Sequence, residues 1–176
     1  MYFHNKYLSK IISGTGAFPK SMFSADVESS KNCMKVIASK GVLAMMPEAR
    51  LSTVGKFEGI QDTTFKFIKK TQLPVYVIKI NGSYLAKPKW GDKIRKGAMV
   101  EGELSQLFTK EEVQTLSLEE IQEKISNALD YDEWKWLEQH PEVHYKHKTL
   151  AKGLENVLSI CPKCKERYSL PLSVSA

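Results

Sequence analysis

Apolar positions along the chain change period several times, and each change marks an element. Tyr7, Leu8, Ile11 and Ile12 recur at helical spacing and stop at Gly14-Thr15-Gly16, which predicts a short helix closed by a glycine-rich turn. Phe18-Pro19 reads as extended. Beyond it, Ser29 or Ser30 can cap a helix running through Lys40 that aligns Met34, Ile37 and Ala38 on one face, with Gly41 suited to the position past its end. Val42-Leu43-Ala44-Met45-Met46 is then an uninterrupted apolar run between Gly41 and Pro47. So short a run is too brief for a helix and predicts a strand buried on both faces, for which a parallel sheet is the natural host.

Asp62 can start a further helix that turns Phe65 and Ile68 inward, and Leu73 to Ile80 reads as another buried strand before Asn81-Gly82. Strand, helix, strand implies a right-handed crossover. Another strand is expected at Met99 to Leu104. Helices begin at two capping boxes, Thr109 with Glu112 and Ser117 with Glu120, and Ile121, Ile125, Ala128 and Leu129 form the core stripe of the second. The expected fold is α/β, a mostly parallel sheet flanked by helices over residues 1–108, a helical extension over 109–152 and a tail over 153–176.

Composition adds limits. The chain of 176 residues is 42% apolar and 26% charged, as expected of one globular domain with a small appendage. No apolar run approaches the roughly 18 residues of a spanning helix, and the N-terminus lacks the apolar core of a signal peptide, so the expected location is cytoplasmic, with a peripheral place on the inner membrane face left open. Three cysteines do not make a disulfide framework. The net charge of +6 favours anionic partners without choosing among a membrane surface, nucleic acid and a phosphorylated substrate.

The stretch with most chemistry is Met46-Pro47-Glu48-Ala49-Arg50-Leu51-Ser52, followed by Gly55-Lys56-Phe57. It leaves the expected strand at the carboxyl edge, where open parallel sheets bind ligands. Arg50 offers a planar fork for phosphate oxygens and Glu48 can orient a cation or hydroxyl; a structural Glu-Arg pair in a loop is the plainer alternative.

This stretch resembles the Phe-Pro-Glu-Gly-Thr-Arg-Ser block of the phospholipid and glycerol acyltransferases, 1-acyl-sn-glycerol-3-phosphate acyltransferases among them, which is likewise followed by Gly-Lys. Upstream, Gly16-Ala17-Phe18-Pro19-Lys20 is similar to the family's stretch after its first helix, and downstream Leu73-Pro74-Val75-Tyr76-Val77 is similar to its proline-bearing strand. Order and spacing agree over residues 5 to 105. Where the family has Gly-Thr-Arg this chain has Ala49-Arg50-Leu51, and Met22 occupies the place of a substrate-binding arginine. The resemblance implies transfer of an acyl group from acyl-CoA or acyl carrier protein to lysophosphatidate at a membrane surface, with Glu48 and Arg50 organising the acceptor phosphate and Lys20 and Lys56 helping. It implies no nucleic acid and no required cofactor.

The family's chemistry rests on His-x4-Asp, in which an imidazole takes the acceptor proton and the aspartate fixes its tautomer. Five residues beyond His4, His140, His144 and His147 stand Ser9, Tyr145, Thr149 and Lys152, so no histidine here has that carboxylate. The expectation is an N-terminally incomplete family chain with little activity of its own.

Three other patterns carry weaker signals. Gly14 to Ser21 nearly spells a P-loop, but Pro19 stands where the final glycine must free the backbone. Cys161-Pro162-Lys163-Cys164 is half of a zinc knuckle, which His144 and His147 could complete as a Cys2His2 set, against the plainer reading of an unmetallated tail. Trp134, Trp136 and Tyr145 interleave with Lys135, Lys146, Lys148 and Lys152, a mixture suited to a membrane interface or to stacking on nucleic acid, although core anchoring is equally available to a tryptophan. Two further functions therefore stay open: a non-catalytic module binding anionic lipid or a protein partner, and a zinc-dependent nucleic-acid module.

Overall fold

A computed structural model describes residues 6–19, 26–146, 150, 152–161 and 163–167. The chain divides into two units, Met1–Ala49 and Arg50–Ala176.

In the first unit, α1 (Lys6–Gly14) ends as its spacing predicts, with the Thr15 and Gly16 amides donating to Ile12 and Ser13 carbonyls at 3.1 and 3.0 Å. Helix α2 (Val27–Ala38) starts earlier than the serines suggest. Its cap is Asp26, whose carboxylate accepts the Ser29 amide at 2.8 Å and also complements the helix dipole, leaving Ser29 buried in the first turn. The helix closes through Lys40 in the left-handed region, φ 58°, and the Gly41 amide on the Val36 carbonyl at 2.9 Å.

The run after α2 overturns an expectation. Val42–Met46 forms no strand, and Val42 and Met46 are 95% and 90% exposed. Apolar content alone made it a buried strand, but a strand needs a ladder partner, and among the described residues the run has none.

The second unit contains α3 (Asp62–Thr71), β1 (Val75–Asn81), α4 (Ser83–Ala86), β2 (Glu101–Phe108), α5 (Lys110–Thr115), α6 (Leu118–Leu129), α7 (Glu133–Gln139) and a 3-10 turn at Leu154–Asn156. Strands β1 and β2 form a two-stranded antiparallel sheet in which Ile78 faces Leu104 and Asn81 faces Glu101. The mostly parallel sheet flanked by helices is therefore not the fold, and the right-handed crossover into β1 does not form. The reason is local. After β1, α4 and the loop behind it reverse the chain, so the next strand returns antiparallel beside β1.

Both capping boxes form. The Thr109 hydroxyl accepts the Glu112 amide and Glu112 accepts the Thr109 amide, with the same reciprocal pair at Ser117 and Glu120. The boxes fix the entry of α5 and α6, which turn Val113, Ile121 and Ile125 onto Phe65 of α3 and Phe108 at the end of β2. Burying each such aromatic or aliphatic side chain contributes about 1.5–3 kcal/mol. Lys69 joins α3 to α5 in another way: its ammonium donates to the carbonyls of Val113, Gln114 and Leu116 at 3.0, 3.0 and 2.5 Å, closing the C-terminal end of α5. On β1, alternation turns Val77 into the unit, while Tyr76, Ile78 and Ile80 are exposed on the opposite face.

Candidate functional site

The Met46–Ser52 stretch continues into a turn built around two side chains to which the sequence reading gave no role, Ser52 and Glu58. The buried Ser52 hydroxyl accepts the Gly55 and Lys56 amides at 2.9 and 3.2 Å, and lies within donating distance of the Lys56 carbonyl and Glu58 Oε1. Glu58 Oε1 also accepts the Thr53 amide at 2.6 Å and the Thr53 hydroxyl at 2.9 Å. Its other oxygen meets Arg50 Nε at 3.2 Å, and Arg50 Nη2 donates to the Glu58 carbonyl at 3.1 Å. The Thr53 amide chiefly, then the Thr53 and Ser52 hydroxyls and the Arg50 charge, hold the Glu58 carboxyl below its usual range against a smaller opposing effect of desolvation.

The turn is fastened to the start of α7. Lys56 Nζ lies 2.8 Å from Asp132 Oδ2, the Phe57 amide donates to the Tyr131 carbonyl at 3.1 Å, and the Glu133 amide to the Gly55 carbonyl at 2.9 Å. The Trp134 indole adds a bond to the Val54 carbonyl at 2.9 Å, and the Tyr84 hydroxyl one to the Thr53 carbonyl at 2.9 Å. Gly55 is required here: its φ is +75°, and a Cβ would meet the Tyr84 ring at 2.5 Å. Hydrogen bonding by Lys56 first, with the Trp134 and Lys135 amides that it caps, lowers the Asp132 carboxyl below its ordinary value.

Of the expected site residues, Arg50 and Lys56 are brought onto this one turn, with side chains 54% and 53% exposed. Each is ion-paired, so their charges also serve the turn. Glu48 is half-buried at the end of the first unit, in a tight turn where the Ala49 amide donates to the Met46 carbonyl at 3.2 Å and Ala49 has φ 56°. Lys20 lies outside the described residues. The carboxylates of Glu58 and Asp132 were legible only as charged loop residues, because nothing in the spacing says which cation each will meet.

The aromatic stretch is divided, with Trp134 44% exposed and Trp136 and Tyr145 turned inward. Trp136 is buried and donates its indole hydrogen to Glu101 at 2.8 Å, and the Tyr145 hydroxyl reaches the Gly82 carbonyl at 3.5 Å. Burial, the largest influence, raises the Tyr145 hydroxyl pKa. Between them Glu133 is wholly buried, accepting the Gly82 amide at 2.9 Å and the Leu85 amide at 3.1 Å. Through these contacts Trp136 and Tyr145 anchor α7 and the segment after it to the β1–β2 connection.

Cys161 lies in a tight reversal, its amide donating to the Glu166 carbonyl and the Lys165 amide to its own carbonyl, both at 2.9 Å. Cys161 is half-buried, and Cys164 and His144 are exposed. His147 lies outside the described residues. Among the described residues no three histidine, cysteine or acidic side chains gather as a metal-binding group.

No protein family, no curated protein and no solved structure matches the chain. Among the described residues no helix is long and apolar enough to cross a membrane.

Proposed function

We propose that the chain is a phosphate-recognising part of a lysophosphatidate acyltransferase, holding the acceptor while the proton-transfer pair comes from outside this sequence. The observation that carries this reading is the placement of Arg50 and Lys56 on one clamped turn, with more than half of each side chain open to solvent. Ion pairs this exposed are worth about 0–1 kcal/mol, so a phosphate can compete with Glu58 and Asp132 for the two cations at small cost. An arginine fork beside a lysine suits a phosphomonoester, taking two oxygens in parallel and the remaining charge at a point. The ordered resemblance of Pro47-Glu48-Ala49-Arg50, Gly55-Lys56 and Leu73-Pro74 to the glycerolipid acyltransferases supplies the substrate class and the donors, acyl-CoA or acyl carrier protein.

The test is binding of lysophosphatidate below its micelle concentration, compared with the monoacylglycerol that lacks the phosphate. Lysophosphatidate should bind more tightly, and Arg50→Ala should weaken it by about tenfold, as loss of a charge-assisted bond requires. Equal affinity for the two lipids would remove the phosphate from the proposal. Acyl transfer by the purified chain, sensitive to Glu48→Ala, would instead show that it catalyses without an external dyad.

A further inference from the structure

A second cationic surface lies away from the Arg50 turn. Residues 87–96, in the connection between α4 and β2, carry Lys87, Lys89, Lys93, Arg95 and Lys96 against one acid, Asp92. The fold sorts them. Arg95 turns inward: its amide donates to the Ala86 carbonyl at 2.8 Å and its guanidinium to the carbonyls of Leu85 and Leu150 at 3.2 and 3.1 Å. Ile94 is left 70% exposed, with the four lysines exposed around it in sequence.

The same bonds bring in basic residues from about fifty positions downstream. Lys96 and Lys146 exchange backbone hydrogen bonds at 3.1 and 2.8 Å, and the Trp90 indole joins Arg95 on the Leu150 carbonyl at 3.3 Å. Exposed Lys146, Leu150 and Lys152 therefore border the loop. Glu155, the acid nearest in sequence, has its carboxylate on the Gly153 amide at 3.0 Å. Among the described residues none of these six lysines forms an ion pair, in contrast to Lys56.

We infer that this edge of the second unit, residues 87–96 with Lys146, Leu150 and Lys152, docks on an anionic lipid bilayer, the lysines meeting headgroups and Ile94 entering the interface. Charge complementarity supplies the attraction, and an aliphatic side chain held outward among lysines is the pattern of interfacial insertion. Nucleic acid fits less well. Binding single strands calls for aromatic faces on which bases stack, and the one aromatic ring of the loop is engaged: Trp90 meets Tyr84 edge-on at 5.8 Å, has Arg95 5.9 Å from its centroid, and has donated its N–H.

The inference does not rest on the phosphate reading of Arg50, and its test keeps the two apart. Flotation with phosphatidylcholine vesicles, with and without about 30% phosphatidylglycerol, is run at about 0.05 and 0.5 M salt. Binding should require the anionic lipid and fall at high salt. Lys93→Ala with Lys96→Ala should weaken it about 25-fold, at roughly fivefold per lysine, Lys87→Ala with Lys89→Ala should do the same, and Ile94→Ala should weaken it several-fold. Arg50→Ala should weaken it by less than either lysine pair. The inference is overturned if neutral vesicles bind equally, if Ile94→Ala has no effect, if Arg50→Ala weakens binding as much as the lysine pairs, or if a single-stranded oligonucleotide binds more tightly than the vesicles. Circular dichroism confirms that each exposed-residue variant is folded.

Discussion

Lys56 and Asp132, 2.8 Å apart, close the Ser52–Glu58 turn onto the first residues of α7, joining positions far apart in sequence. Asp132 does a second job as the cap of α7, accepting the Trp134 and Lys135 amides, whereas among the described residues the Lys56 side chain makes only the pair. The two ends of one ion pair should therefore differ in thermal melts. Lys56→Ala is expected to lower Tm by ~1–4 °C and Asp132→Ala by clearly more, because the second variant also uncaps a helix. Equal shifts would show that the cap bonds contribute nothing.

Glu58 gives the turn a pH dependence of definite sign. Its carboxyl is held below the ordinary glutamate value, chiefly by the Thr53 amide, so the folded state binds its proton less readily than the unfolded chain does. Its stabilisation is present above the ordinary value and is lost as pH falls through the lower folded-state one. Glu58→Gln should thus melt below the parent at neutral pH, and the difference should shrink on acidification. A gap constant from neutral to strongly acidic pH would contradict this assignment.

Buried Glu133 is expected to be the least replaceable acid of the second unit. Glutamine keeps the shape but presents an amide NH2 to one of two backbone donors, Gly82 or Leu85. Leaving a buried donor unsatisfied and weakening a charge-assisted bond should together cost about 3 kcal/mol in urea unfolding.

Lys69 tests a different kind of helix end. Its ammonium sits on three carbonyls at the end of α5, so Lys69→Met, which keeps the aliphatic length, removes only the donors. Unfolding free energy should fall by about 1–2 kcal/mol, with amide exchange speeding first in α5. Stability unchanged within error would mean that water replaces the ammonium without loss.

Local chemistry made α3, α5 and α6 legible. Thr109 and Ser117 each sit three residues before a glutamate, and both boxes form as written. Asp62 starts α3 with Phe65 inward, and β1 overlaps the stretch read as strand and ends one residue past it at Asn81. Pairing was not legible. The run Val42–Met46 has the composition of a buried strand, yet composition cannot supply a neighbour, and the direction of β2 was set by α4 and the loop after it. The site divides in the same way. Arg50 and Lys56 were visible as cations of one block, but Glu58, Asp132 and Ser52 became part of it only when the turn closed.

The Glu133–Gly82 bond spans 51 residues, and this imposes an order on synthesis. At about 5–20 residues per second, a ribosome that has released Gly82 needs roughly 3–10 s more before Glu133 follows. For that interval the amides of Gly82 and Leu85 must keep water as their partner, and the connection between the two strands emerges ahead of the carboxylate that fixes it. A nascent chain stalled short of residue 133 should be cut by protease between β1 and β2, and release of the next few residues should protect it.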